Sequence, residues 1–95
     1  MNGMKITDNP AKDLWNTETR QLPFDRAVDF RWQDALIIED LRRIYPERRF
    51  VAVGHLDKRL HVLCFTPAEG GIRVISFRKA NHREARKYDK PITID

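Results

Sequence analysis

The chain has 95 residues, 41% of them hydrophobic and 34% charged, which suits one domain spanning 1–95 around a single core. Five Lys/Arg against eight Asp/Glu in residues 1–40, and thirteen against six in residues 41–95, make an acidic first part and a strongly basic second part within a net charge of +4. This composition excludes a disordered chain and a membrane-spanning helix, and the basic part points to a polyanionic partner.

Lys5–Thr7 reads as a short edge strand. Asn9 and Pro10 mark a helix start, with Asn as the cap and Pro at the first helical position, where its missing N–H costs nothing. The helix ends near Arg20, ahead of Pro23, and Ala11, Leu14 and Trp15 share its predicted buried face. A second short helix starts around Pro23 to Asp25, with Phe24, Ala27 and Val28 turned inward and Phe30 or Trp32 adding to that side. Both tryptophans are read as core. Ala35–Glu39 is a strand, and Leu41–Glu47 is a basic connection in which Pro46 blocks a continuous ladder.

Three runs rich in β-branched and aromatic residues follow, Arg49–His55, Arg59–Thr66 and Ile72–Lys79. The breaks at 56–58 and 67–71 carry turn residues, so the runs predict consecutive antiparallel strands joined by hairpins. Asn81 and Glu84 have the spacing of a capping box for a last helix, which runs to about Asp89 and is stopped by Pro91. Arg83, Arg86, Lys87 and Lys90 form its basic stripe, while Ala85 and Tyr88 face the sheet. Ile92–Ile94 is expected to pair with an edge or stay mobile. The fold class is α+β, a small antiparallel sheet packed with two N-terminal helices and one C-terminal helix. Cys64 has no disulfide partner and Met1–Met4 is too short and polar for a signal peptide, so a reducing cytoplasm is expected.

His55, His61 and His82 have no Cys or carboxylate at ligand spacing, so neither a metal nor a cofactor is expected. Gly70–Gly71 reads as a hairpin turn rather than a phosphate loop, and Cys64 has no evident base beside it. Basic residues at strand ends are the chain's chemical offer. Alternation places Val74, Ser76 and Arg78 on one face of the third long strand, with Arg73, Ile75, Phe77 and Lys79 on the other. On the second, Arg59, His61, Leu63 and Phe65 share a face. Antiparallel pairing brings Arg59 near Arg78 and Lys79, and Tyr88 with the Arg83/Arg86/Lys87 stripe would close the cluster from the helix. Guanidinium groups beside an imidazole and a phenol suit a phosphodiester, and can stabilise charge building on a scissile phosphate without metal. The plainer alternative is a set of hairpin-end charges that keep the sheet soluble.

The segments Glu47–Gly54, Arg59–Leu60, Ile72–Ala80, Arg83–Glu84 and Arg86–Tyr88 resemble the BrnT-type toxins. That family's pattern is a Glu-x-Arg-x-x-x-x-Gly strand, then an Ile-Ile-Ser-x-Arg-Lys-Ala strand leading into an Arg-rich helix with Glu and Tyr. Asp8–Lys12, Asn16 and Phe24–Val28 resemble its entry helices. The resemblance implies a RelE-like fold and a bacterial ribonuclease toxin that cleaves RNA without metal, by attack of a ribose 2′-OH on its own phosphate, and so inhibits translation. It also implies a BrnA-like antitoxin with a ribbon-helix-helix part, through which alone the pair would reach operator DNA.

By position, Arg78 and Lys79 match the family's Arg-Lys, Tyr88 its helix tyrosine, Arg49 its strand arginine, and Arg59 the basic residue opening the next strand. With the cluster argument, Arg59 and Arg78 become candidate phosphate or transition-state contacts, and His61 and Tyr88 candidate proton-transfer groups. Arg49, Lys79, Arg83, Arg86 and Lys87 are candidate RNA contacts. Thr19–Gln21 stands where the family usually carries Lys-His-Gly, and Thr7 where a Trp commonly ends the first strand. Arg20 can replace a cation there but cannot act as a base. Two other readings are a catalytically weakened relative acting mainly in antitoxin binding and operon autoregulation, and a generic nucleic-acid-binding module.

Overall fold

The structure, a computed structural model, describes residues 4–89; the expectation for Ile92–Ile94 lies outside them. The elements in chain order are β1 (Lys5–Asp8), α1 (Pro10–Arg20), two 3₁₀ turns (Phe24–Asp29 and Trp32–Asp34), β2 (Leu36–Glu39), β3 (Phe50–Leu56), β4 (Arg59–Ala68), β5 (Gly71–Lys79) and α2 (His82–Asp89). The strands form one sheet in the order β1-β5-β4-β3-β2. The pairs among β2, β3, β4 and β5 are antiparallel, but β1 runs parallel to β5. The sheet is therefore mixed, not purely antiparallel, because β1 leaves into a helix rather than a hairpin and nothing forces it to run against β5.

That edge pairing depends on Gly71, where a Cβ would lie 2.0 Å from the Lys5 carbonyl oxygen. Gly71→Ala is expected to push β1 off the sheet, lowering stability in urea by about 1 to 3 kcal/mol. Pro67, expected in a turn, lies within β4 opposite Ile72. Pairing of β3 with β4 starts at Phe50 opposite Phe65, so Pro67 has no strand on its other side that would need its missing N–H.

One face of the sheet carries the core, where Leu22, Phe24, Ala27 and Phe30 pack on Ala52, Leu56, Leu63, Phe65, Val74 and Phe77. The segment 24–29 is 3₁₀ rather than α, and its three-residue period turns Phe24, Ala27 and Phe30 inward together. Val28, predicted inward, is thereby left exposed. The rings of Phe30 and Phe77 meet edge-on at 6.0 Å, as do those of Trp32 and Phe65 at 5.4 Å; the core reading of Trp32 stands.

Trp15 and Leu14 correct the expected face of α1: they are 54% and 58% exposed, and Asn16 is the buried residue. The helix docks through polar chemistry. Asn16 Nδ2 donates to the carbonyls of Leu22 and Phe77, both at 2.8 Å. The alternation expected along β5 also fails, since Val74 and Phe77 both face the core. Cys64 pairs with Ser76 but Phe65 with Val74, leaving Ile75 as the extra residue of a bulge that switches faces. On the opposite face, α2 is tied to β5 by Arg78 and Glu84. Its cap is reciprocal, with the Glu84 N–H donating to Asn81 Oδ1 and the Asn81 N–H to Glu84 Oε1, both at 2.9 Å.

Candidate active site

The β3–β4 connection is a two-residue turn in which Asp57 and Lys58 have φ of 52° and 68°, the primed geometry that matches strand twist. It delivers Arg59 to the start of β4, and two residues on, His61 pairs in register with Lys79 at the end of β5. The last turn of α1 places Arg20 across from them. Arg20, Arg59, His61 and Lys79, with Arg78, line a cleft of about 490 Å³. At its rim Arg26 Nη2 donates to both Asp57 oxygens, at 3.0 and 2.9 Å, which pins the turn.

His61 is buried, with its Nδ1 2.7 Å from the Arg59 carbonyl oxygen. Nδ1–H donates to that oxygen, which leaves the lone pair on Nε2. Burial lowers the His61 pKa below its ordinary value, and the charges of Lys79 and Arg59 push the same way. The imidazole is therefore neutral at pH 7 and can accept a proton. Arg20 Nη1 donates to Asn16 Oδ1 at 2.8 Å and to the Phe77 carbonyl at 3.3 Å. Its guanidinium sits 4.7 Å from the Trp15 ring centroid. Burial, then the charge of Arg78, lowers the Arg20 pKa, yet a guanidinium keeps its proton throughout the physiological range. A neutral base among fixed cations can take a hydroxyl proton while charge grows on a phosphate.

Of the residues singled out from the sequence, the cleft gathers Arg59, His61, Arg78 and Lys79. Arg78 has its fork occupied, donating to Glu84 at 2.8 and 2.7 Å. Tyr88 does not close the cluster: its hydroxyl donates to the Asp34 carbonyl at 2.7 Å and its ring meets His55 edge-on at 5.5 Å, away from the cleft. The helix stripe does not close it either. Arg83, Arg86 and Lys87 are exposed on α2, and Lys87 borders a groove on the opposite face with Val51, Val53 and Val62. Arg49 stands at the other end of β3, its guanidinium 4.1 Å over the Tyr45 ring, in a separate cleft. Burial raises the Cys64 thiol pKa, so it stays protonated. Arg20 is the cleft member that pattern alone did not single out as a site residue. The available signal was its place where the family usually carries Lys-His-Gly, at the end of α1 just before Gln21.

The Arg78 guanidinium bonded to Glu84 holds that carboxyl down to about 2. With the folded pKa below the unfolded value of about 4.3, the pair stabilises the α2 attachment above pH 4.3 and loses that contribution as pH falls toward 2. Protection factors of α2 amides, which correct for the intrinsic pH dependence of exchange, are expected to fall over that window while those of β3–β5 hold. Glu84→Gln should show the lower protection already at pH 7.

Among the described residues no three His, Cys, Asp or Glu side chains group as metal ligands, and no helix is long and apolar enough to cross a membrane. A family model described as the ribonuclease toxin BrnT of type II toxin–antitoxin systems matches residues 9–84. The fold is similar to the crystal structure of the ribonuclease toxin BrnT of Brucella abortus, with a TM-score of 0.63 and 23% identity over 84% of this chain and 100% of that one. Comparison with curated proteins gives no match.

Proposed function

The chain belongs to the BrnT family of ribonuclease toxins of type II toxin–antitoxin systems, and from that premise we propose that the Arg20/Arg59/His61/Lys79 cleft cleaves RNA without a metal ion. The observation that carries this reading is the buried His61 lining one cleft with Arg20, Arg59, Lys79 and Arg78. His61 Nε2 takes the proton from a ribose 2′-OH as the oxygen attacks the adjacent phosphorus. The bond from phosphorus to the 5′-oxygen breaks, giving a 2′,3′-cyclic phosphate, and the departing 5′-oxygen takes a proton from water to become the 5′-hydroxyl. Arg59 and Arg20 stabilise the negative charge on the pentacoordinate phosphorus, and Lys79 holds the neighbouring phosphate. Arg78 keeps α2 in place and adds positive potential behind Arg20. Tyr88 braces α2 rather than transferring protons, and Arg83, Arg86, Lys87 and Arg49 serve as outlying contacts for a longer RNA.

In the cell this activity inhibits translation, and a BrnA-like antitoxin with a ribbon-helix-helix part neutralises it and links the pair to operator DNA. The single domain is of RelE-like type. A seat for a protein partner is supported by β2, an edge strand whose Leu36, Ile37 and Ile38 are 47%, 45% and 68% exposed. Inducing the chain alone should arrest growth with fragmented RNA, and Arg59→Ala should relieve the arrest, since losing one such donor costs about 10²- to 10³-fold in rate. Undiminished arrest by Arg59→Ala at equal protein level would count against this cleft.

A further inference from the structure

An exposed tryptophan beside a phosphate-binding cleft calls for an occupant. Trp32 is held by Phe30, Phe65 and the Ala27 carbonyl, whereas Trp15 is 54% exposed with the Arg20 guanidinium on its ring. Leaving an indole in water forgoes the largest burial gain any side chain offers. Trp15 also lines an apolar hollow of about 350 Å³ with Phe24, Ile75 and Ala11, with Lys12 at its border. Arg20 is common to this hollow and to the cleft containing His61. One guanidinium thus separates a cationic, phosphate-sized site from an aromatic, flat-sided one. Adjacent phosphate and base groups of a single nucleotide demand that juxtaposition.

We propose that Trp15 is the stacking platform for a nucleobase next to the cleaved phosphate, with Arg20 bridging the base subsite and the phosphate subsite. The inference rests on the ribonuclease reading above and deepens it. A splayed base stacks on the indole, and its edge reaches toward the Lys12 ammonium. Stacking on an aromatic platform tolerates every base, so the subsite sets affinity and the position of the cut more than base identity.

The test uses the purified chain and an RNA whose cut has been mapped with the parent protein. Abasic ribose is placed in turn at the two nucleotides flanking the cut. At one of them the abasic substitution and Trp15→Ala should each raise KM about 5- to 100-fold with kcat little changed. Combined, they should cost no more than either alone, and Trp15→Phe should restore most of the affinity. Independent, multiplying effects would instead mean that Trp15 merely positions Arg20, and would overturn the subsite. So would a Trp15→Ala protein that handles intact and abasic RNA like the parent, whether or not its hold on an antitoxin has changed. If the parent cleaves nothing, the ribonuclease reading falls and the subsite with it. Cleavage that needs His61 but ignores Trp15 removes the subsite alone.

Discussion

Replacing His61 with Gln is expected to reduce RNA cleavage by about 10²- to 10⁴-fold, the usual contribution of a positioned general base. Gln keeps a donor for the Arg59 carbonyl, which His61 Nδ1 holds at 2.7 Å, so the start of β4 retains its geometry while proton transfer is lost. The pH profile gives the sharper form of this prediction. His61 acts as base only when neutral, and burial with the nearby Lys79 and Arg59 charges lowers its pKa from 6.5. The rate should rise with pH through a midpoint below about 6.5 and then level off. In Lys79→Ala the midpoint should move up, because one of the charges opposing protonation is gone. Single-turnover cleavage between pH 4.5 and 8 reads both effects. A midpoint above 7, or a His61→Gln protein at parental rate, removes His61 from the chemistry.

Asn16→Ala is expected to be the most destabilising single change in α1. The residue is 1% exposed and satisfies the Leu22 and Phe77 carbonyls; once the amide is gone the Leu22 carbonyl loses this donor, while the Phe77 carbonyl keeps only the longer bond from Arg20. A buried acceptor left without its donor costs about 1 to 3 kcal/mol, which in a domain of this size corresponds to a fall in Tm of roughly 5 to 20 °C. The loss extends to the cleft, because Asn16 Oδ1 also accepts from Arg20. Asn16→Asp separates the two roles. It keeps an oxygen for Arg20 and removes the amide donors, so stability should fall while cleavage by the folded fraction persists. Arg20→Ala should lose cleavage outright with a smaller fall in Tm, since both carbonyls keep the Asn16 amide and only Asn16 Oδ1 loses its donor. Calorimetry with activity assays well below the lowest Tm distinguishes them.

The strands of the sheet's centre were legible because β-branched runs punctuated by turn residues admit one folding, and the Asn9–Pro10 and Asn81–Glu84 signals placed both helix starts. Faces were harder. Hydrophobic periodicity assigned Trp15 and Leu14 to the core, yet α1 docks through an amide whose value lies in two carbonyls distant in sequence. The Ile75 bulge and the three-residue period of the 24–29 turn changed which side chains face inward, and neither leaves a mark in hydrophobicity. The Arg59/His61/Lys79 part of the cleft could be read because strand ends meet by register. Arg20 joins them only through the docking of α1, and Tyr88 was misplaced in the cluster because α2 lies on the opposite face of the sheet.

The most direct test of the central claim is the chemistry of the RNA ends made by the purified chain in excess chelator. The account predicts 2′,3′-cyclic phosphate and 5′-hydroxyl ends, formed at full rate without divalent cations and lost in His61→Gln. Fragments with 3′-hydroxyl and 5′-phosphate ends, or cleavage that appears only when a divalent cation is added, would contradict it.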